Sequence, residues 1–179
     1  LGLAARARTG AICAAVTGSV GKTSVKEMLA RIFRAAGGAH WSDKSFNNHW
    51  GVPLTLARMH RNTELAIFEI GMNTPGEIGP RSLMVQPHVA MITRIAPAHL
   101  HGMGSVEAVA DEKAQIFAGI YEDGAALLPA TDRFLPRLQA AVEKMRPGAM
   151  IQTFGKGGTA GVPTSYETDG VTSTVELEI

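Results

Sequence analysis

A chain of 179 residues, 45% hydrophobic and 18% charged, has the size and apolar content of one globular domain and excludes a disordered one. Its 17 basic and 16 acidic residues leave a net charge of +1, which gives no footing for nucleic acid or an anionic membrane surface, and no apolar run is long enough to span a bilayer. One cysteine, Cys13, excludes an internal disulfide and suits a reducing compartment. Arg6 and Arg8 ahead of the apolar Ala11 to Val16 imitate a signal peptide, but that stretch runs straight into a glycine-rich loop. With Leu1 at its start, the chain reads as an excised piece of a longer cytoplasmic protein.

Ala11 to Thr17 is an apolar run ending in a glycine-rich turn, as a buried strand does. A helix is expected from about Lys22, with Val25, Met28, Leu29, Ile32 and Phe33 at helical spacing and Gly37-Gly38 as its stop. Trp41 to Asn48 reads as a polar loop, and Pro53 opens a short helix with Leu54, Leu56 and Met59 apolar. Leu65 to Phe68 is a second strand that ends on Glu69. A Gly71 to Gly79 loop leads to a helix near Ile78 to Val85, and Val89 to Ile95 is a third strand. After a Pro97 to Gly104 loop, Ser105 is a good N-cap for a helix reaching about Ile120, with Glu107 well placed in its first turn. Ala125 to Leu128 is a fourth strand, Thr131 to Lys144 a helix and Met150 to Phe154 a fifth strand. This alternation predicts an α/β fold, a mostly parallel sheet flanked by helices. Beyond the loose Gly155 to Gly161 stretch, Val171 to Ile179 alternates like a half-exposed antiparallel strand, an antiparallel region at the C-terminal end.

The segment Thr17-Gly18-Ser19-Val20-Gly21-Lys22-Thr23 joins a predicted strand to a predicted helix. Glycines let backbone N–H groups curl around an anion, and the helix N-terminus adds partial positive charge. Lys22 reaches the outer phosphates as a point charge, and the Thr23 hydroxyl can ligate Mg²⁺. The general phosphate-loop pattern has one more glycine, where this chain has Val16, so the match is to a shortened form.

Four further residues are candidates for chemistry. Glu69 ends an apolar strand, where open parallel sheets bind ligands, and a carboxylate there can hold the metal of a phosphate-loop enzyme. Lys113 sits on the apolar stripe Val106, Val109, Ile116, Phe117 and Ile120. A lysine facing inward snorkels, finds a partner or loses its charge, and a neutral amine can add CO₂ to become an anionic oxygen ligand. His99 and His101 follow the third strand, and either can ligate a metal or orient a substrate; their positions alone do not choose between them.

Four segments resemble the central, ATP-binding domain of the Mur ligases, the amide-forming enzymes of peptidoglycan precursor synthesis. They are Thr17 to Glu27 (TGSVGKTSVKE), Ser45 to Leu56 (SFNNHWGVPLTL), Glu69 to Ile78 (EIGMNTPGEI), and Ala98 to Ser105 (AHLHGMGS) continuing to Lys113 to Phe117 (KAQIF). Within the family they are most similar to the branch that joins D-alanyl-D-alanine to UDP-N-acetylmuramoyl-tripeptide; sister branches usually read GTNGKT in the loop.

The resemblance implies a phosphate-loop NTPase-like fold and an ADP-forming ligase that serves cell-wall synthesis, cell shape and division. It implies a cytoplasmic monomer acting on small molecules, with no nucleic acid or membrane partner. Gly18, Ser19, Val20, Gly21, Lys22, Thr23 and Ser24 would hold ATP phosphates, and Asn48 would lie near the γ-phosphate. Thr23 would serve a first Mg²⁺; Glu69, His99 and a carbamylated Lys113 would serve a second. Catalysis would rest on Lys22, Lys113 and His99. Residues 1–179 would then be a central-domain fragment, without the UDP-binding first domain, the end of the central domain or the third domain. Thr93-Arg94, His49-Trp50 and His101 depart from the family's usual residues. Two alternatives stay open: another ligase of the superfamily such as a folylpolyglutamate synthase, and a phosphate-loop GTPase or switch, against which the lack of an Asn-Lys-x-Asp guanine signature weighs.

Overall fold

The computed structural model describes residues 1–160 in full and the backbone of 163–168 and 173–177. In chain order the elements are α1 (Gly2–Ala7), β1 (Ile12–Thr17), α2 (Lys22–Ala36), β2 (Ala39–Trp41), α3 (Gly51–Arg58), β3 (Leu65–Glu69), α4 (Ile78–Val85) and β4 (Val89–Ile92). They continue with α5 (Leu100–Met103), α6 (Val106–Ala114), a 3-10 turn (Gln115–Gly119), β5 (Ala125–Pro129), α7 (Leu135–Met145) and β6 (Met150–Phe154). Six strands form one parallel sheet in the order β2-β3-β1-β4-β5-β6. β7 (Pro163–Thr168) and β8 (Ser173–Leu177) pair antiparallel in a separate ladder, and the rest of the expected Val171 to Ile179 strand lies outside the described residues.

Parallel pairing puts every strand's carboxyl end at one edge of the sheet, which is where such sheets bind ligands. Val16 of β1 stands beside Glu69 of β3, and Thr17 beside Ile92 of β4. The phosphate loop, the β3 exit and the β4 exit are therefore neighbours. The larger core, including Phe68, Ile92, Phe117, Leu128 and Leu138, fills the face covered by α3, α4, α6 and α7. A smaller cluster of Val16, Ala30 and Ile67 lies under α2 on the other face.

The structure differs from the sequence expectations in ways with local causes. α2 is turned from its expected stripe: Met28 and Ile32 are 64% and 61% exposed, while Lys26 and Ala30 are the buried residues. The helix after Ser105 does capture the cap, since Ser105 Oγ accepts from Ala108 N at 3.1 Å, but it tightens at Gln115. There Ser82 Oγ donates to the Ile116 carbonyl, and Ile120 N turns to Phe117 O at 3.1 Å, a 3-10 bond. β4 stops at Ile92, because the next residues leave the ladder to bind the phosphate loop. α7 begins at Leu135 and not Thr131; Asp132 instead forms a turn, accepting from Ile95 N at 2.8 Å and Phe134 N at 3.0 Å. α1, α5 and the three-residue edge strand β2 stand where loop or no element is expected.

Candidate functional site

The phosphate loop is held open by bonds to the segment after β4. Ser19 N donates to Arg94 O at 2.8 Å, and Ser19 Oγ donates to Ala96 O at 2.9 Å while accepting from Ala96 N at 3.0 Å. Thr93 Oγ1 donates to Val20 O at 2.6 Å. Gly18, at φ 150°, passes so close that a Cβ there would lie 1.9 Å from Thr93 Oγ1. Only glycine fits. α2 follows with Gly21 as its N-cap, no side-chain cap and no acid in its first turn. Its first N–H groups and dipole are thus left for an anion. Lys22 Nζ arches back over the loop to donate to Gly18 O at 2.8 Å.

Beside this loop Glu69 is 1% exposed. Its Oε2 accepts from Thr23 Oγ1 at 2.9 Å, and its Oε1 from Asn47 Nδ2 at 2.7 Å. Both donors are neutral, and among the described residues no lysine, arginine or histidine forms an ion pair with it. A buried carboxylate with only neutral donors calls for a cation. Hydroxyl, carboxylate and amide oxygens are the hard donor set that suits Mg²⁺.

Glu69, Lys22, Thr23, Asn47, Asn48, His99 and Lys113 all line one cavity of about 310 Å³. His99 is on its wall, in the left-handed conformation at φ 56°, and His101 is not among the lining residues. Asn48 Oδ1 accepts from Trp50 N at 3.1 Å and Gly51 N at 2.8 Å, opening α3; its amide donors remain for a ligand. Lys113 is 1% exposed and has no hydrogen bond or ion pair among the described residues. Burial, helped by the nearby charge of Lys22 and opposed by Glu112, lowers its pKa from 10.5 to about 8. A second cavity of about 480 Å³ opens at the carboxyl ends of β4, β5 and β6, walled by Thr93 to Pro97, Asp132, Arg133 and Phe154.

Of the residues expected from the sequence, the structure brings Lys22, Thr23, Asn48, Glu69, His99 and Lys113 to one cavity, and it adds three others nearby. Asn47 is the partner of Glu69, Thr93 straps the phosphate loop, and Glu112 accepts from Gly76 N at 2.8 Å and from Glu77 N and Ile78 N at 2.9 Å. The asparagine pair was visible as a motif, but nothing in the sequence says which of the two faces Glu69. Glu112 beside Lys113 gave no signal, because its acceptor role depends on a loop more than thirty positions away.

The fold and loop together define an open parallel-sheet domain with a phosphate-loop motif at the carboxyl ends of its strands. The chain belongs to the Mur ligase middle domain family, whose model matches residues 16–177. It is 42% identical over 116 residues to UDP-N-acetylmuramoyl-tripeptide–D-alanyl-D-alanine ligase of Escherichia coli K12, covering 65% of this chain and 26% of that protein. The enzyme of the same name from Bacillus subtilis 168 is 42% identical over 109 residues, 61% of this chain and 24% of its own length. This chain therefore spans about a quarter of these relatives. Among solved structures, MurF of Acinetobacter baumannii matches with a TM-score of 0.91 and 32% identity, over 99% of this chain and 38% of that one. The fold is also that of MurF ligase of Thermotoga maritima in complex with ADP, at a TM-score of 0.84 and 24% identity, over 99% of this chain and 40% of that one.

Proposed function

We propose that this chain is the ATP- and Mg²⁺-binding part of a cytoplasmic, monomeric ligase that joins D-alanyl-D-alanine to UDP-N-acetylmuramoyl-tripeptide, and that other domains supply the rest of the substrate sites. The names of the relatives support the reaction. The observation that carries the reading is the buried Glu69, without an ion-pair partner among the described residues, sharing one cavity with Thr23, His99 and Lys113 next to the phosphate loop.

The loop N–H groups and Lys22 would hold the β- and γ-phosphates; Thr23, whose hydroxyl donates to Glu69, would hold a first Mg²⁺ beside them, and Glu69, His99 and a carbamylated Lys113 would hold a second. Lys113, with a pKa near 8, is substantially neutral near that pH. Its amine can add to CO₂, forming an N–C bond and releasing one proton, so that a cation becomes a carbamate beside Glu69 and His99. Mg²⁺, when bound, would supply Lewis-acid charge at the γ-phosphate and the acceptor carboxylate. The acceptor carboxylate oxygen attacks the γ-phosphorus, ADP leaves, and an acyl phosphate results. The dipeptide amine then attacks the acyl carbon, loses a proton and expels phosphate. The role of the chain throughout is positioning and charge neutralisation: Lys22 offsets charge on the transferred group, and His99 helps fix the acceptor.

In a ligase polypeptide carrying this chain, Lys113→Ala should lower amide formation by roughly 10²-fold. Short-chain carboxylic acids should restore part of it by standing in for the carbamate. Full activity without such rescue would refute the role of Lys113. Assayed with D-alanyl-D-alanine and with glutamate as amine, the polypeptide should use only the former; the opposite preference would indicate a folylpolyglutamate-type ligase.

A further inference from the structure

Lys26 takes no part in the chemistry above, yet its side chain is 0% exposed. Its ammonium donates to Ser42 O at 2.9 Å, Lys44 O at 2.7 Å and Glu27 Oε1 at 2.5 Å. An ammonium is costly to bury, and an apolar side chain would fill the same space without that cost. The bonds themselves are therefore what the charge contributes, and two of them hold the backbone that leads into the site. Lys44 is kept in the left-handed conformation at φ 48°, unusual for a non-glycine residue. Phe46 N then donates to Asp43 O at 3.2 Å and Asn47 N to Ser45 O at 2.7 Å. This tight path delivers Asn47 to Glu69, and Gly71 N closes on Asn47 O at 2.9 Å.

α2 thus reaches Glu69 by two routes. Thr23 bonds Oε2 directly, and Lys26, one helical turn further on, reaches Oε1 through the 42–48 loop and Asn47. We propose that Lys26 is a positioning residue that locks this loop to the nucleotide helix, so that both oxygens of Glu69 keep a fixed aim into the cavity. It acts through Asn47 and touches no reacting atom. The inference rests on the reading of Glu69 as a Mg²⁺-side carboxylate.

Two measurements on this chain test it. By hydrogen exchange without Mg²⁺, the Asn47 and Gly71 amides of Lys26→Met should exchange about tenfold faster than wild type, with β4 and β5 amides unchanged. In titrations of ADP binding against Mg²⁺, Lys26→Met and Asn47→Ala should each raise the half-saturating Mg²⁺ roughly tenfold, and the double variant should go no further. Lys26→Gln, which keeps two donors without the charge, carries both measurements if Lys26→Met does not fold. A lower melting temperature with wild-type exchange and wild-type half-saturation would overturn the proposal, as would additive shifts in the double variant. Glu69→Gln separates the two levels. If it leaves the Mg²⁺ dependence unchanged, the reading of Glu69 falls and this inference with it; if it shifts the dependence while the Lys26 variants do not, this inference alone falls.

Discussion

His88 and His40 are half-buried, away from the site, and both bear on how the fold responds to acid. Burial lowers the pKa of His88, and the charge of Arg6 lowers it further; burial also dominates the lowering at His40. His88 Nδ1 accepts from Cys13 N at 3.0 Å, which only an unprotonated nitrogen can do, and its ring stacks on Tyr121 at 4.6 Å. A folded-state pKa below the unfolded value of about 6.5 means stability that is fully present above that value and lost as pH falls through the folded pKa. Thermal melts should therefore be level above about pH 7 and fall toward pH 5, and His88→Asn should show a shallower fall. An equally steep fall in that variant would contradict this assignment. Lys113 was legible at the same level of detail: a lysine on an apolar stripe is an anomaly that sequence spacing exposes. Lys26 was not, because it lies off the expected stripe and its acceptors are backbone carbonyls sixteen and eighteen residues away.

The elements around the cavity are joined by carboxylates acting as caps. Glu112 of α6 takes the N–H groups of Gly76, Glu77 and Ile78, which are orphan donors at the start of α4. Arg81 of α4 in turn donates to Gly71 O and to Glu77 Oε2 at 3.2 Å, so the loop after β3 is fixed at both ends. Glu112→Ala would leave those donors unmet and should cost roughly 2–4 kcal/mol in urea unfolding of this chain. A loss under about 0.5 kcal/mol would show that water replaces the carboxylate freely. Strands and helices with long periodic runs were legible; their ends were not. The tightening at Gln115 depends on Ser82, and the end of β4 on Thr93 and Asp132, all of them contacts between residues distant in sequence. β2 has three residues and α1 six, too few to show a period.

Over the whole molecule, the parallel sheet brings the phosphate loop, Glu69, His99 and Lys113 to one edge from four separate segments. That convergence could be foreseen, since alternating strands and helices fix which end of each strand carries ligands. The spacing around the cavity could not, because it depends on register and on loops tied down by Thr93, Asn47 and Lys26. The central proposal is that this edge activates a carboxylate by phosphorylating it. The most direct measurement supplies a ligase polypeptide carrying this chain with UDP-N-acetylmuramoyl-tripeptide labelled with ¹⁸O in both acceptor carboxylate oxygens, together with ATP and D-alanyl-D-alanine. An acyl phosphate requires one labelled oxygen in each phosphate released. Amide product accompanied by unlabelled phosphate would contradict the proposal.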